Sequence, residues 1–384
     1  MSIFQNIVKT SYHNFLFLIF GSLIMSAHFT ALRGSNIGLI EVGIMIVSFI
    51  IYVKFIILER KRIHFIFFLP PLFILIFLFP ITLVNTYQEF YGSSFTTIVA
   101  LLFSSTVTAC IYFFNSNQKI FFGIGISIIT IFALAGIVAS GKLFETIFRF
   151  SYLSDNPNQI AIYSVSGVCL VTLLIQSNIL RMFFLPPAIA YGILSLSDAL
   201  FLSFLSGLLT YLALFLIKKS LFIPSVFFAL MVSIIFLLTL PTMDIQLLIL
   251  DLWREADEGG SRIRLFINGL DAYLDSPAFG HGGGGFSGFF VPFDRFEAHN
   301  TFVDLLTIGG PILVLIFYLP LFIGMFCLYK DNQLLGAAMI ISVIIFSLFH
   351  FVARHPIVWI IVFFCLSFSL EFLKNNVRYI RPSS

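Results

Sequence analysis

The side chains best able to do chemistry lie between Arg254 and Asp304, the one long polar interruption in an otherwise apolar chain. His299 and Asn300 open an apolar run, and Asp304 follows one turn in. An imidazole titrates near neutrality, which suits a base that takes a proton from a hydroxyl. Upstream stand Arg262 and Arg264. A guanidinium keeps its charge and binds phosphate oxygens through paired hydrogen bonds. Fixed cations and a nearby base suit the departure of an anionic group from a carbon that a hydroxyl attacks.

Three other stretches carry candidates. Arg149 precedes Asn156-Pro157-Asn158, a turn in which Pro157 fixes the backbone and Asn158 stands at or near the start of a helix. Arg354-His355-Pro356 lies in a late polar loop. Gly280 to Gly285 lacks the Lys-Ser/Thr ending of a nucleotide-binding loop, and is either a flexible flap or a backbone cradle for a sugar or phosphate. No Asp-x-Asp stands in an outward loop and no His/Cys cluster has ligand spacing, so neither metal nor cofactor is expected.

The elements that must position these groups are membrane helices. The chain is 59% hydrophobic and only 10% charged, with a mean hydropathy of +1.06, more apolar surface than a water-soluble fold can hide. Continuous apolar runs favour helices over a barrel, so the fold expected is all-α, a polytopic bundle of about 12 spans. The predicted spans are 14–31, 38–57, 65–84, 96–114, 120–140, 159–176, 182–197, 199–217, 221–240, 300–328, 334–350 and 356–373. Cys110, Cys169, Cys327 and Cys365 fall inside them and are expected to pack as small apolar residues. The first run has no cleavage pattern and is expected to stay as a helix.

With both termini cytoplasmic, thirteen of the 21 Lys and Arg residues fall inside and eight outside, seven of those eight being arginine. That agrees with the positive-inside rule and turns the polar stretch outward. The division expected is residues 1–240 as N-terminal spans, 241–299 as a large outer loop, and 300–384 as C-terminal spans with a cytoplasmic tail. Within the loop, Arg262, Leu265, Phe266, Gly269, Leu270, Tyr273 and Leu274 repeat at helical spacing. An amphipathic helix lying on the bundle is predicted, with Arg262 at its N-terminal end, where backbone donors add to the pull on a diphosphate.

Taken in order, Gly260-Ser261-Arg262, Ser276-Pro277, the Gly280–Gly285 run and Ala298-His299-Asn300 followed by Gly309-Gly310 resemble the signature of the bacterial O-antigen ligase and polymerase family. Asn156 to Ala161 resembles a weaker feature of that family. The resemblance covers about 149 to 320. It implies a metal-independent glycosyltransferase of the bacterial inner membrane, working on the periplasmic face with an undecaprenyl-diphosphate-linked oligosaccharide as donor. It makes Arg262 the holder of the donor diphosphate and His299 the base; Arg264, Arg149, Arg354, Asn300, Asp304 and Asn158 are expected beside them as substrate contacts. A chain-length regulator and a flippase are implied partners; nucleic acid is not. The chain departs from the pattern at Ser197-Asp198, where the family often has Ser-Arg. A second phosphate-binding arginine must then be Arg149, Arg264 or Arg354, unless the site works differently.

Three functions compete. A polymerase adds the growing glycan to a second lipid-linked repeat unit; a ligase transfers the finished chain to lipid A-core or to a protein. The compact chain, without an appended domain for a protein acceptor, favours the polymerase. A transporter or lipid flippase would place ionisable groups at mid-membrane and often shows an internal repeat, whereas here the charges gather in outer loops.

Overall fold

The computed structural model describes residues 2–29, 38–87, 94–139, 154, 156–219, 257–287 and 296–380. All the extended elements among them are helices: α1 (Ser2–Ser26), α2 (Leu39–Leu58), α3 (Phe65–Tyr87), α4 (Phe95–Phe113), α5 (Ser116–Ala139), α6 (Pro157–Leu174), α7 (Asn178–Ile193), α8 (Asp198–Lys218), α9 (Asp257–Asp275), α10 (Thr301–Lys330), α11 (Leu334–Ser347) and α12 (Pro356–Ile380). Eight of these are long and apolar enough to cross a membrane, and 14–26, α7 and α11 are shorter apolar helices. The chain is therefore a multi-pass helical membrane protein. The predicted span 221–240 lies outside the described residues.

The helices begin and end where the chain's chemistry dictates. Asn156 caps α6, its side chain accepting from the Asn158 N–H at 2.8 Å, with Pro157 in the first turn where a missing N–H does no harm. Ser195 to Ser197 separate α7 from α8, and of the predicted span 14–31 the helix ends at Ser26, with Ala27 to Phe29 outside it and the last two positions outside the described residues.

α6 and the first half of α12 form the centre. Ile357 to Cys365 are all buried, with Trp359 tied by its indole N–H to the Ala353 carbonyl at 2.6 Å. Around them α1 packs along α5, α6 against α7 and α11, α8 against α11, and α10 against both α11 and α12. α8 turns most of its surface outward, with Leu202, Leu205, Leu208, Leu209 and Leu212 all exposed. Such a surface is at home in lipid, where close helix packing rather than water exclusion holds a bundle together. The four cysteines are buried thiols.

α10 is broken at its tenth and eleventh residues. Gly310 adopts φ 64°, ψ −166°, and Pro311 has no N–H to give to the Thr307 carbonyl four residues back. The Gly280 loop closes the gap. His281 N–H donates to Thr307 O at 2.7 Å and Gly282 N–H to Ile308 O at 3.0 Å. Gly283 N–H reaches the Thr82 hydroxyl on α3 at 2.7 Å, and Ser94 N–H donates to Gly283 O at 2.7 Å. This corrects both expectations for the glycine run. The glycines of the run are buried, Gly280 against α10, Gly282 against α3 and Gly283 against α4, and do neither flap nor cradle duty.

Candidate functional site

α9 carries Arg262 and sets its place by packing on α10. Leu265 and Ala272 are buried, and Gly269 lies so close that an added Cβ would stand 2.5 Å from Val303 Cγ1 and 2.6 Å from Ser287 Oγ. Only hydrogen at this position lets α9 lie flush on the first turn of α10. Phe266 and Leu274, predicted on the inner stripe, are exposed. The helix starts at Asp257, five residues before Arg262. Arg262 thus projects from the body of α9, and the expected help from backbone donors at the helix end does not arise. His281 Nε2–H donates to the Ala272 carbonyl at 2.7 Å, which commits that imidazole to holding the end of α9.

His299 sits immediately before α10, in left-handed backbone with φ 52°. Asn300 caps the helix, accepting from Val303 N–H at 3.2 Å, and its amide donates to Leu348 O at 2.9 Å. Thr301 Oγ1 donates to His350 O at 2.5 Å and accepts from Val352 N–H at 2.8 Å. Those bonds tie the His299 loop to the segment between α11 and α12. Arg354 extends from that segment and pairs with Glu297 at 2.9 Å. The Ser104 hydroxyl of α4 holds the Arg354 carbonyl at 2.7 Å.

These elements enclose a cavity of about 530 Å³. α6 and its cap supply Asn156, Asn158 and Gln159; α9 supplies Arg262 and Leu265; the loop before α10 supplies Phe296 and His299; the segment before α12 supplies His350, Phe351, Arg354 and His355. The amide oxygens on the α6 wall are already engaged. Asn156 Oδ1 takes the Asn158 N–H, Gln159 Oε1 takes the Ser154 hydroxyl at 3.0 Å, and Asn158 Oδ1 takes the Ser197 hydroxyl at 3.3 Å. The three amide NH₂ groups and two guanidiniums offer a ligand N–H donors, the chemistry of a site for phosphate or sugar oxygens.

The electrostatics point the same way. Burial first, then the positive charges of Arg262 and Arg354, hold the His299 pKa below its ordinary value. Both guanidiniums act on the imidazole, which is kept neutral and able to accept a proton near pH 7. Glu297 is shifted upward by burial, an effect that Arg354 partly offsets.

Of the residues singled out from sequence, Arg262, His299, Arg354 and Asn158 line the same cavity. Arg264 is exposed and does not line it, and Arg149 lies outside the described residues. Asn300 and Asp304 are not among the residues that line the cavity. Asn300 is spent on capping and on Leu348, and Asp304 is 2% exposed, its carboxyl accepting the Ala298 and Asn300 N–H groups at 2.7 and 3.2 Å. Asp198, at the family's arginine position, is exposed at the start of α8, beside the Ser197 that bonds Asn158. His350 and Glu297 went unnoticed in the sequence, where a histidine ending one apolar run and an acid two residues before His299 carry no spacing signal. Among the described residues no group of three His, Cys, Asp or Glu is arranged to hold a metal ion.

Residues 182–318 match the family model described as O-antigen ligase, which supports an O-antigen ligase/polymerase-like family for this chain. The match contains Arg262 and His299, while Asn158 and Arg354 reach the cavity from outside it. No curated protein matches the chain.

Proposed function

We propose, with an O-antigen ligase-type domain over residues 182–318 as the premise, that this protein is a polysaccharide polymerase of the bacterial inner membrane. It transfers a growing glycan from undecaprenyl diphosphate to the next lipid-linked repeat unit on the periplasmic face. The observation that carries the reading is the shared cavity of Arg262, Arg354 and His299, two fixed cations acting on a neutral imidazole.

The donor diphosphate lies against Arg262 and Arg354, with Arg354 in the role that Asp198 cannot fill. The acceptor hydroxyl lies about 3 Å from the His299 ring, the reach of a general base. His299 takes the hydroxyl proton and the oxygen attacks the anomeric carbon. The bond from that carbon to the diphosphate breaks, and the electron pair leaves with undecaprenyl diphosphate. Negative charge grows on the departing oxygens, where guanidiniums already in place stabilise it without reorganising. A single displacement inverts the anomeric centre. The amide donors of Asn156, Asn158 and Gln159 and the ring of Phe296 suit sugar hydroxyls and a sugar face.

The acceptor is read as a second lipid-linked repeat because the polar interruption at 241–299 is short for a protein acceptor's docking domain. A deletion strain tests this. Core capped with one repeat unit supports the polymerase; uncapped core with accumulated lipid-linked polymer indicates a ligase. His299→Ala and Arg262→Ala are each expected to abolish chain extension with normal expression and insertion, and normal glycan ladders from both would refute the site.

A further inference from the structure

We infer that Asp304 is a positioning residue, whose carboxyl brackets His299 and holds its imidazole toward the cavity. The inference rests on His299 being the base proposed above. One oxygen accepts from Ala298 N–H at 2.7 Å and the other from Asn300 N–H at 3.2 Å. Those are the residues on either side of His299, which itself holds the left-handed φ of 52°. Capping of α10 needs only the Asn300 N–H. The shorter bond passes beyond that residue to Ala298, so the carboxyl fixes the backbone on both sides of His299. A non-glycine residue in this conformation is held there by its surroundings, and the two bonds are those surroundings. The side chain is 2% exposed and does not line the cavity, so its action on the reaction runs through His299.

The test follows the His299 ring directly. Protein carrying ¹³C-labelled histidine is titrated in detergent micelles, with the His299 resonance assigned by its disappearance in H299Q. The charged and titratable groups that line the cavity with the ring are Arg262 from α9 and Arg354, His350 and His355 from the segment before α12, with Glu297 of its own loop paired to Arg354. None of them changes in Asp304→Asn, and the negative charge lost at position 304 would by itself lower the His299 midpoint, so a rise reports the released loop and not the lost charge. The amide keeps one acceptor and turns an NH₂ group against the second N–H, which releases the loop and lets water reach the imidazole. The His299 midpoint is then expected to rise toward the unperturbed value near ~6.5. Transfer from lipid-linked glycan extracted from the deletion strain is expected to fall about 10- to 100-fold, as for a reacting group misplaced by an ångström. KM for that donor should stay within about twofold because the arginines are untouched.

Asp304→Glu retains both oxygens and should fall between, and it carries both readouts if Asp304→Asn gives no monodisperse protein. Thr307→Val, one turn along, removes a buried hydroxyl bonded to the Asp304 carbonyl at 2.9 Å and supplies a purely structural comparison. An unmoved midpoint with wild-type transfer in the Asp304 variants overturns the inference, as does an equal shift and loss in Thr307→Val. If H299Q itself transfers normally, the base assignment falls. The titration then decides alone, a shifted midpoint supporting the bracket and an unshifted one removing it.

Discussion

Arg354→Ala separates two roles that the geometry gives one side chain. Arg354 pairs with Glu297 at 2.9 Å and also lines the cavity. A charge-assisted hydrogen bond to a phosphate is worth about 1.5–3 kcal/mol. The Arg354 side chain is 42% exposed, so solvent screens it and the lower half of that range applies. About 1.5–2 kcal/mol corresponds to roughly a 10- to 30-fold loss in kcat/KM. The same substitution leaves the Glu297 carboxyl, 18% exposed, without its countercharge, and that alone could distort the His299 loop. Adding Glu297→Gln removes the second effect and leaves the first. Initial rates are measured in proteoliposomes with lipid-linked glycan from the deletion strain, for wild type, Arg354→Ala, Glu297→Gln and the double variant. If Arg354 grips the departing diphosphate, the double variant stays roughly 10- to 30-fold slower than Glu297→Gln. Recovery of the double variant to the Glu297→Gln rate would refute the phosphate role and reduce Arg354 to a loop tether.

The remaining predictions concern the imidazole and the glycine loop. Because His299 is held below its ordinary pKa, the acid limb of the kcat/KM–pH profile, which reports the free enzyme, should lie below about 6.5. Arg262→Gln removes a positive charge that disfavours protonation, so in the residual activity that limb should move to higher pH; an unmoved or lowered limb contradicts the placement of the two groups. Gly282 has φ 81°, and a Cβ there would lie 2.5 Å from the Thr82 hydroxyl oxygen and 2.8 Å from the Thr82 nitrogen. Gly282→Ala should therefore cost at least about 1–3 kcal/mol, the usual penalty for left-handed strain. A thermal melt in detergent checks it, and an unchanged melting temperature would mean that the loop does not support the fold.

The spans were legible because lipid demands long unbroken apolar runs, and the helices 39–58, 65–87, 95–113 and 198–218 begin and end within a few residues of the apolar limits. Even the weakly marked break at Ser195 to Ser197 separates two helices. Arg262 and His299 were legible because their residue types are out of place in so apolar a chain. Their meeting with Arg354 was not, because it depends on Thr301 and Asn300 fastening one loop to another about fifty positions away. Asp304, expected among the substrate contacts, has its carboxyl on the Ala298 and Asn300 N–H groups. An acid four residues past an N-cap asparagine can fold back over the helix start, and that signal stood in the sequence. The role of Gly280 to Gly285 was out of reach, since nothing local says that Pro311 leaves a carbonyl for His281 to take.

The repair of α10 by that loop bears on how the chain tolerates change in length. A run of small residues between two polar stretches is ordinarily where insertions and deletions do least harm. Here two main-chain oxygens at the mouth of an apolar bundle depend on the register of His281 and Gly282. One residue more or fewer before them would leave both buried oxygens with nothing to bind. The plainest-looking segment of the sequence is thus among the least free to drift in length, although the identities of its exposed neighbours Pro277 to Phe279 are under no such constraint from these bonds.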